Sequence, residues 1–236
     1  MKLQQIVQLC ESSEEPTLRE VSGNAAFNAM MYRGTRNKGD IVRLPVRKDR
    51  RPLDSSNLET ALFNLEIERR FGIRNVRSQV AFATSNYVEA ANYGSSVYCI
   101  LPPKDSQVLY SPNVPDSVYV CGEIGVAINK LGFQEGNYAA IRGMSSHEPE
   151  KLLEAFMEHA PEEALEGFKR LREHQIPGIL ADYRLVSATE VPFSTKSTEY
   201  MILANYVYGV NAAFIRENTE AGGTIYDRTK AMFGHQ

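Results

Sequence analysis

The sequence predicts that residues 1–236 form a single α+β domain, because short β-prone runs alternate with amphipathic helical segments. Residues 97–101 form an apolar run that stops at two prolines, which is typical of a strand. Residues 199–210 form a second, strongly β-prone run. Over residues 58–70, apolar side chains recur at near-helical spacing behind several residues that favour a helix N-terminus, which predicts a helix.

The N-terminal part is predicted to contain a short amphipathic piece and then a helix that begins at Pro16. By composition, residues 25–33 are compatible with a helix or a strand, and their ending in Tyr32-Arg33-Gly34 favours a strand. Residues 34–57 are predicted to be a loop, because prolines and many charged residues interrupt any regular period.

The middle of the chain is predicted to hold several short elements. Residues 80–82 read as a strand that stops at Ala83-Thr84-Ser85, and either hydroxyl residue is a candidate cap for a helix over residues 87–93. Residues 108–110 and 118–121 are predicted to be two further strands, because turn-forming residues flank them.

The C-terminal half is predicted to carry a helical insert at about 148–175, with a break at Pro161, where the second helix begins. Residues 179–181 and 185–187 are predicted to be short strands or strand edges. The tail at about 217–236 is polar and contains glycine, so we expect it to be flexible.

Charge and cysteine content exclude several function classes. The net charge of −3 argues against binding that depends on long phosphate tracks, so a nucleic-acid partner is possible but not favoured. The three cysteines (Cys10, Cys99 and Cys121) have no zinc-like or disulfide-like spacing, and each is predicted to be a small buried residue in a reducing compartment. No segment approaches the ~20 apolar residues of a bilayer span, so we expect a cytoplasmic protein without a membrane partner.

Three separate segments carry side chains suited to binding a charged ligand. Arg33 closes an apolar run and Gly34 follows it, which fits either a clamp for an anion or an ordinary arginine at the rim of a core. Thr84-Ser85 could support a ligand, cap a helix, or do both. Glu199 heads a strand behind a polar loop that contains Phe193, and it fits either a catalytic carboxylate or a solvated strand end.

Taken in order, these segments resemble the arginine–serine–glutamate class of mono-ADP-ribosyltransferases, especially the small enzymes encoded by bacteriophages. The first segment of that class reads aromatic-Arg-Gly, as Tyr32-Arg33-Gly34 does. The second reads aromatic-Ser-Thr-Ser with an alanine and an aromatic in the next helix, and here it is Phe82-Ala83-Thr84-Ser85 with Ala91 and Tyr93. The third is a glutamate that heads an apolar strand, as Glu199 does. Residues 47–116 also resemble, more loosely, uncharacterised phage proteins.

The resemblance implies a split antiparallel β core of two sheets with peripheral helices, and it implies NAD as co-substrate. Arg33 would clamp the pyrophosphate, Ser85 would orient the glutamate, and Glu199 would stabilise the cation that forms as nicotinamide leaves. The implied NAD-binding residues are Tyr32, Arg33, Gly34, Thr84, Ser85 and Tyr93, with Tyr87 as an alternative aromatic. The implied contacts to the acceptor are Phe193 and Ser197, and no metal is needed.

Two positions depart from the family pattern. Ala83 replaces the first serine of the second segment, and Ser197 stands where arginine-modifying members carry a second glutamate. Acceptors other than arginine, namely a hydroxyl, a base or water, are therefore favoured. The expected activity is ADP-ribosyl transfer to a macromolecular acceptor, either a host protein or a nucleic acid. The resemblance implies that a phage would use this activity to take over its host. The alternatives are NAD glycohydrolysis and a non-catalytic phage protein that binds a host or virion partner.

Overall fold

A computed structural model of the chain describes residues 3–12, 16–26, 28–50, 54–194 and 196–220, so most of the predicted flexible tail, residues 221–236, lies outside it. The strands are β1 (Met31–Thr35), β2 (Ile41–Pro45), β3 (Ala81–Thr84), β4 (Ser96–Leu101), β5 (Gln107–Tyr110), β6 (Arg184–Ser187), β7 (Glu199–Leu203) and β8 (Tyr206–Asn211). The α-helices are α1 (Leu3–Ser12), α2 (Pro16–Asn24), α3 (Asn57–Phe71), α4 (Val76–Gln79), α5 (Tyr87–Ala91), α6 (Ser117–Asn129), α7 (Glu135–Ala140), α8 (Pro149–Met157), α9 (Glu162–Arg170), α10 (Ile176–Ile179) and α11 (Ala212–Glu220). A π-helical turn (Leu171–Gln175) and a 3₁₀ turn (Ala188–Glu190) complete the set.

The chain divides into two compact units. The first comprises the chain up to Val46, Ala81–Tyr110 and the chain from Leu185 onward, and it carries the β-sheet. The second comprises Arg47–Val80 and Ser111–Arg184, and its described elements are mainly helices. The helical insert expected at about 148–175 corresponds to α8, α9 and the π-helical turn, which are part of this larger second unit.

The first unit is organised by one eight-stranded antiparallel sheet in the order β2-β8-β4-β1-β3-β7-β5-β6. The α+β class predicted from the sequence is therefore confirmed. Helices α1, α2 and α11 supply apolar side chains to one face of the sheet, where Tyr32, Cys99 and Val210 are buried. The opposite face buries a second apolar cluster that includes Met31 and Tyr200.

The junction between β1 and β3, in the middle of the sheet, is narrow. Within the described residues, these strands share a single registered pair, Tyr32 with Thr84. On its other edge, β1 pairs with β4 along its whole length, from Met31 to Thr35. The sheet is thus continuous, but its two four-stranded halves meet through one residue pair.

The second unit is built around α3, the helix predicted over residues 58–70. Ser56 caps its N-terminus with a reciprocal capping box to Glu59, and Gly72 ends it in the left-handed conformation at φ 72°. The rings of Phe133, Phe156 and Phe168 pack together in this unit with centroid separations of 4.6–6.0 Å.

Two strands predicted for this part of the chain are wrong. Residues 118–121 belong to α6, because the Asp116 side chain accepts a hydrogen bond from the Val118 N–H and so caps a helix there. Residues 179–181 follow the π-helical turn and continue as helix and turn instead of forming a strand. Short apolar runs do not distinguish a strand from a buried helix by themselves.

Two further sequence predictions need correction in the first unit. The predicted loop at residues 34–57 contains β2, which pairs with β8 over its full length. The β-prone run at residues 199–210 is a hairpin and not a single strand, because Ala204 and Asn205 form a turn between β7 and β8. Both β2 and the hairpin are defined by pairing between strands that are distant or adjacent in the chain, and the β-propensity of a single segment does not predict such pairing.

The three cysteines are free and buried, as predicted. Burial raises the pKa of Cys10 and Cys99 to about 12 and that of Cys121 to about 11. None of the helices in the described ranges has the length and apolar character that a bilayer-spanning helix requires.

Candidate functional site

The three segments singled out in the sequence lie on neighbouring strands of the first unit. Tyr32 on β1 pairs with Thr84 on β3, and Thr84 pairs in turn with Glu199 on β7. Directly paired residues of adjacent strands project to the same face of a sheet. Tyr32, Thr84 and Glu199 therefore form one row across three strands on one face.

Arg33 and Ala83 belong to the other face. Arg33 pairs with Tyr98 of β4, and strand alternation turns both away from the row that contains Thr84. Ala83 pairs with Tyr200 and is buried in the apolar cluster of that face. A serine at position 83 would place its hydroxyl among apolar side chains, which gives a structural reason for the alanine.

The row is completed by a carboxylate that the sequence reasoning missed. Thr84 donates its Oγ1–H to Glu89 Oε2 at 2.9 Å. Ser197 Oγ lies 2.7 Å from both Oε1 and Oε2 of the same glutamate. Glu89 on α5 thus links the end of β3 to the residue two positions before Glu199, and we call Thr84, Glu89 and Ser197 the hydroxyl–carboxylate cluster.

Local capping explains why Glu89 lies there. The Asn86 side chain accepts hydrogen bonds from the N–H groups of Val88 and Glu89, so Asn86 is the cap of α5, and the predicted caps Thr84 and Ser85 are not. The Asn86 N–H donates to Thr84 Oγ1 at 3.1 Å, which leaves the hydroxyl proton of Thr84 directed at Glu89. A glutamate three residues after an asparagine is a recognised helix-start signal, and it could have identified Glu89.

Ser85 connects β3 to the segment that leads into Glu199. Its Oγ donates to the Lys196 carbonyl at 2.6 Å and accepts from the Thr198 N–H at 2.9 Å, while its own N–H donates to the Thr198 carbonyl. These bonds fix the main chain on the N-terminal side of Glu199. The sequence predicted that Ser85 orients the glutamate, and these bonds orient its segment through the backbone.

Gly34 is required by the close approach of α5 and the turn after it. A Cβ at position 34 would lie 2.1 Å from the Ala90 carbonyl oxygen and 2.8 Å from the Gly94 nitrogen. A Cβ at position 94 would meet the backbone of Thr35 at 2.4–2.6 Å. The space on the Cβ side of Gly34 is therefore filled by the chain itself, and the assignment of Gly34 to a ligand site stays a prediction.

Several exposed aromatic residues lie on the segments that carry the cluster. Tyr87 opens α5, is 40% exposed and packs edge-on against Tyr32 with ring centroids 5.6 Å apart. Tyr93 follows α5 and is 66% exposed, and Phe193 in the loop before Glu199 is 65% exposed. These rings offer apolar surface to a partner, in contrast to a loop aromatic packed onto the core.

The polar groups of this face include two carboxylates, since Glu199 lies opposite Thr84 and Glu89 accepts its hydroxyl. Burial, with smaller contributions from Cys99 and Tyr87, raises the pKa of Tyr32 to about 12, so its phenol stays neutral near pH 7. Within the described ranges, no group of three or more His, Cys, Asp or Glu side chains is arranged to hold a metal ion.

The second unit contains a groove of about 970 Å³ between α3, α8 and α9. Its lining includes apolar side chains such as Leu62, Leu153 and Phe168, together with Glu66 and Arg69, which pair with each other. None of the predicted site residues lines it. The residues suited to chemistry are those of the hydroxyl–carboxylate cluster and its row.

Comparison of the chain with protein-family models, with curated proteins and with solved structures gave no match.

Proposed function

We propose that the protein transfers ADP-ribose from NAD to a macromolecular acceptor and releases nicotinamide. One observation supports this most strongly: Tyr32 of β1, Thr84 of β3 and Glu199 of β7, which are far apart in sequence, lie opposite one another on three adjacent strands. The resemblance to the arginine–serine–glutamate class requires that these segments meet. An arrangement that separated them would have removed the basis for the proposal.

The proposed NAD site is the junction beside the Tyr32–Thr84 pair. The halves β2-β8-β4-β1 and β3-β7-β5-β6 meet only there among the described pairs of β1 and β3, and they correspond in the proposal to the two sheets of an ADP-ribosyltransferase core. Because Arg33 and Glu199 belong to opposite faces, one ligand contacts both only by passing through this junction. The proposal places the phosphates of NAD at Arg33 and its nicotinamide ribose at Glu199.

The chemistry proposed for the site is electrostatic. When the bond from nicotinamide to ribose breaks, positive charge develops on the ribose, and a fixed carboxylate stabilises it. Glu199 is the residue assigned to that role, and Glu89, which accepts the hydroxyl proton of Thr84, adds a second carboxylate. Tyr87 or Tyr93 would shield the nicotinamide ring, and the guanidinium of Arg33 would bind the phosphates in its planar fork.

The acceptor would approach over the loop that contains Phe193 and Ser197. Phe193 presents an exposed ring, and Ser197 brings a hydroxyl to Glu89 at 2.7 Å. A carboxylate that accepts a hydroxyl proton in this way favours a hydroxyl acceptor, either a side chain, a ribose or water. Hydrolysis of NAD is therefore the second candidate activity.

Incubation of the purified protein with NAD labelled on the adenylate moiety, in the presence of a bacterial lysate, tests the proposal. Transfer predicts free nicotinamide together with label on macromolecules, and digestion by protease or nuclease then identifies the acceptor class. Nicotinamide with free ADP-ribose and no bound label would instead indicate a glycohydrolase. If neither product forms and NAD causes no thermal shift, both enzymatic functions are refuted and a protein that acts by binding remains.

A further inference from the structure

The hydroxyls around Glu199 differ in how their oxygen atoms are used. Ser85 Oγ accepts the Thr198 N–H, Thr84 Oγ1 accepts the Asn86 N–H, and Ser194 Oγ accepts the Lys196 N–H. Each of these oxygens therefore accepts a hydrogen bond from a main-chain N–H through one of its lone pairs. A hydroxyl oxygen has two lone pairs, and one that accepts such a bond has only the other pair left for attack, which makes it a poorer nucleophile.

The Ser197 hydroxyl combines a carboxylate partner with an oxygen that accepts no such bond among the described residues. It donates its proton to the Glu89 carboxylate, with Oγ 2.7 Å from each carboxylate oxygen, and within the described part of the chain no hydrogen bond is donated to its own oxygen. Its side chain is only half-buried. A hydroxyl with a free lone pair and a carboxylate on its proton has the arrangement of a nucleophile and its general base.

Ser197 also lies close to the carboxylate assigned to the cation. It precedes Glu199 by two residues, and its partner Glu89 binds Thr84, which pairs with Glu199 across β3 and β7. The nucleophile, its base and Glu199 are thus connected through one row of contacts. An electrophilic ribose carbon held at Glu199 would meet the oxygen of Ser197 before that of a dissolved acceptor.

We propose that Ser197 is a self-modification site, at which the protein attaches ADP-ribose to its own hydroxyl with Glu89 as general base. The C1′–N bond of NAD breaks and its electron pair leaves with neutral nicotinamide. Ser197 Oγ forms the new bond to C1′, and its proton passes to Glu89 and then to solvent. The modified serine would separate Glu89 from Thr84 and obstruct the acceptor loop, so the reaction limits the activity of the site.

This inference rests on the proposed function, and one experiment separates the two. The purified protein is incubated with NAD alone, released nicotinamide is quantified, and the labelled residue is located by fragmentation mass spectrometry. We expect label on Ser197 that survives neutral hydroxylamine, because a serine glycoside resists a reagent that cleaves an ester on a glutamate. Ser197→Ala loses this label, Ser197→Thr keeps it, and the matched control Ser194→Ala keeps it within about twofold.

Glu89→Gln is expected to lower labelling of Ser197 at least tenfold relative to the nicotinamide released in the same sample, since the amide cannot take the proton. Nicotinamide release without label on Ser197 would overturn the self-modification site and leave the proposed function intact. Label on Lys196, or label that hydroxylamine removes, would also overturn it. Absence of nicotinamide release would overturn both proposals.

Discussion

Glu89 of α5 in the first unit is half-buried and Glu66 of α3 in the second is buried, and their partners differ in charge. Glu66 is 5% exposed and binds Arg69 through two bonds of 2.7 Å, so its charge is neutralised. Glu89 receives only the neutral hydroxyls of Thr84 and Ser197. Within the described residues it forms no ion pair.

The difference separates a structural carboxylate from a chemically available one. An arginine fork uses both oxygens of a carboxylate and cancels its field, which suits the packing of α3. Hydroxyl donors stabilise the anion without cancelling its charge, so it can still attract a cation or take a proton. We therefore assign a chemical role to Glu89 and a structural role to Glu66.

The largest expected effect lies at Glu199, the second carboxylate of the same row. Glu199→Gln should lower nicotinamide release about 10²–10³-fold, because the amide cannot stabilise developing positive charge. The thermal midpoint should change little, since Glu199 lies at a strand end and is only partly buried. Glu190→Gln is the matched control, as it removes the same charge from an exposed position of the first unit. Equal turnover in the two variants would show that Glu199 is not the catalytic carboxylate.

The different roles assigned to Glu89 and Glu66 are tested by the two variants Glu89→Gln and Glu66→Gln. Glu89→Gln should reduce turnover by about tenfold or more with little loss of stability, since an amide still bonds to hydroxyls. Glu66→Gln should lower the free energy of unfolding by about 0.5–1.5 kcal/mol and spare turnover, because the buried side chain loses its charge-assisted bonds to Arg69, whose own side chain is 63% exposed and stays hydrated. Urea unfolding measures the stability of both variants, and nicotinamide release measures their turnover. The reverse pattern would contradict the roles assigned to the two carboxylates.

Local patterns in the sequence predicted the elements that depend on local chemistry. The helix at residues 58–70 was predicted correctly because its capping residues and apolar spacing are contiguous, and the strand that begins at Glu199 was predicted from its apolar run. Strand β2 was missed because only its pairing with β8 defines it. Residues 118–121 of α6 were wrongly predicted to be a strand, because four consecutive apolar residues are compatible with a strand and with a buried helix.

The candidate site shows the same limit. Thr84 and Ser85 were recognised as hydroxyl residues, but the partners of the Ser85 hydroxyl, Lys196 and Thr198, lie more than a hundred positions away, so the separate roles of the two residues could not be predicted from the local sequence. Glu89 was missed because the cap was assigned to the wrong residue, which hid the asparagine–glutamate spacing of α5. The opposite faces of Arg33 and Glu199 follow from strand register, which the sequence alone does not supply.

The packing of α5 against β1 sets the position of Glu89, and Gly34→Ala is expected to disturb it. The new Cβ would lie 2.1 Å from the Ala90 carbonyl oxygen, which is backbone and cannot rotate away. We expect a loss of about 1–3 kcal/mol in unfolding free energy. Gly23→Ala is the control, because its Cβ would have no atom within 4 Å, and it should be neutral or slightly stabilising. Equal stability of the two variants would remove the packing role given to Gly34.

The smallest expected effect concerns the buried tyrosines of the two faces. Burial raises the pKa of Tyr32 and Tyr200 to about 12. Because the folded-state pKa lies above the unfolded value, this stabilisation is complete below about pH 10 and is lost as the pH rises toward about 12. The thermal midpoint should therefore be lower at about pH 11 than at about pH 9.

Tyr200→Phe serves as the matched variant for this pH dependence. Its Oη is buried and has no hydrogen-bond partner among the described residues, so the phenylalanine should be as stable as the tyrosine at neutral pH or slightly more stable. It should also lose less stability at alkaline pH than the parent chain. A steeper alkaline loss in the variant would contradict the burial argument.

Hydrogen–deuterium exchange with and without NAD tests the central claim most directly. Glu199→Gln is used so that the ligand is not consumed during labelling. We predict that NAD slows amide exchange in peptides covering β1, residues 81–91 and residues 194–203, while peptides from α3 and α9 of the second unit are unchanged. Protection confined to the second unit, or no protection at a saturating NAD concentration, would contradict the assignment of a dinucleotide site to the row of Tyr32, Thr84 and Glu199.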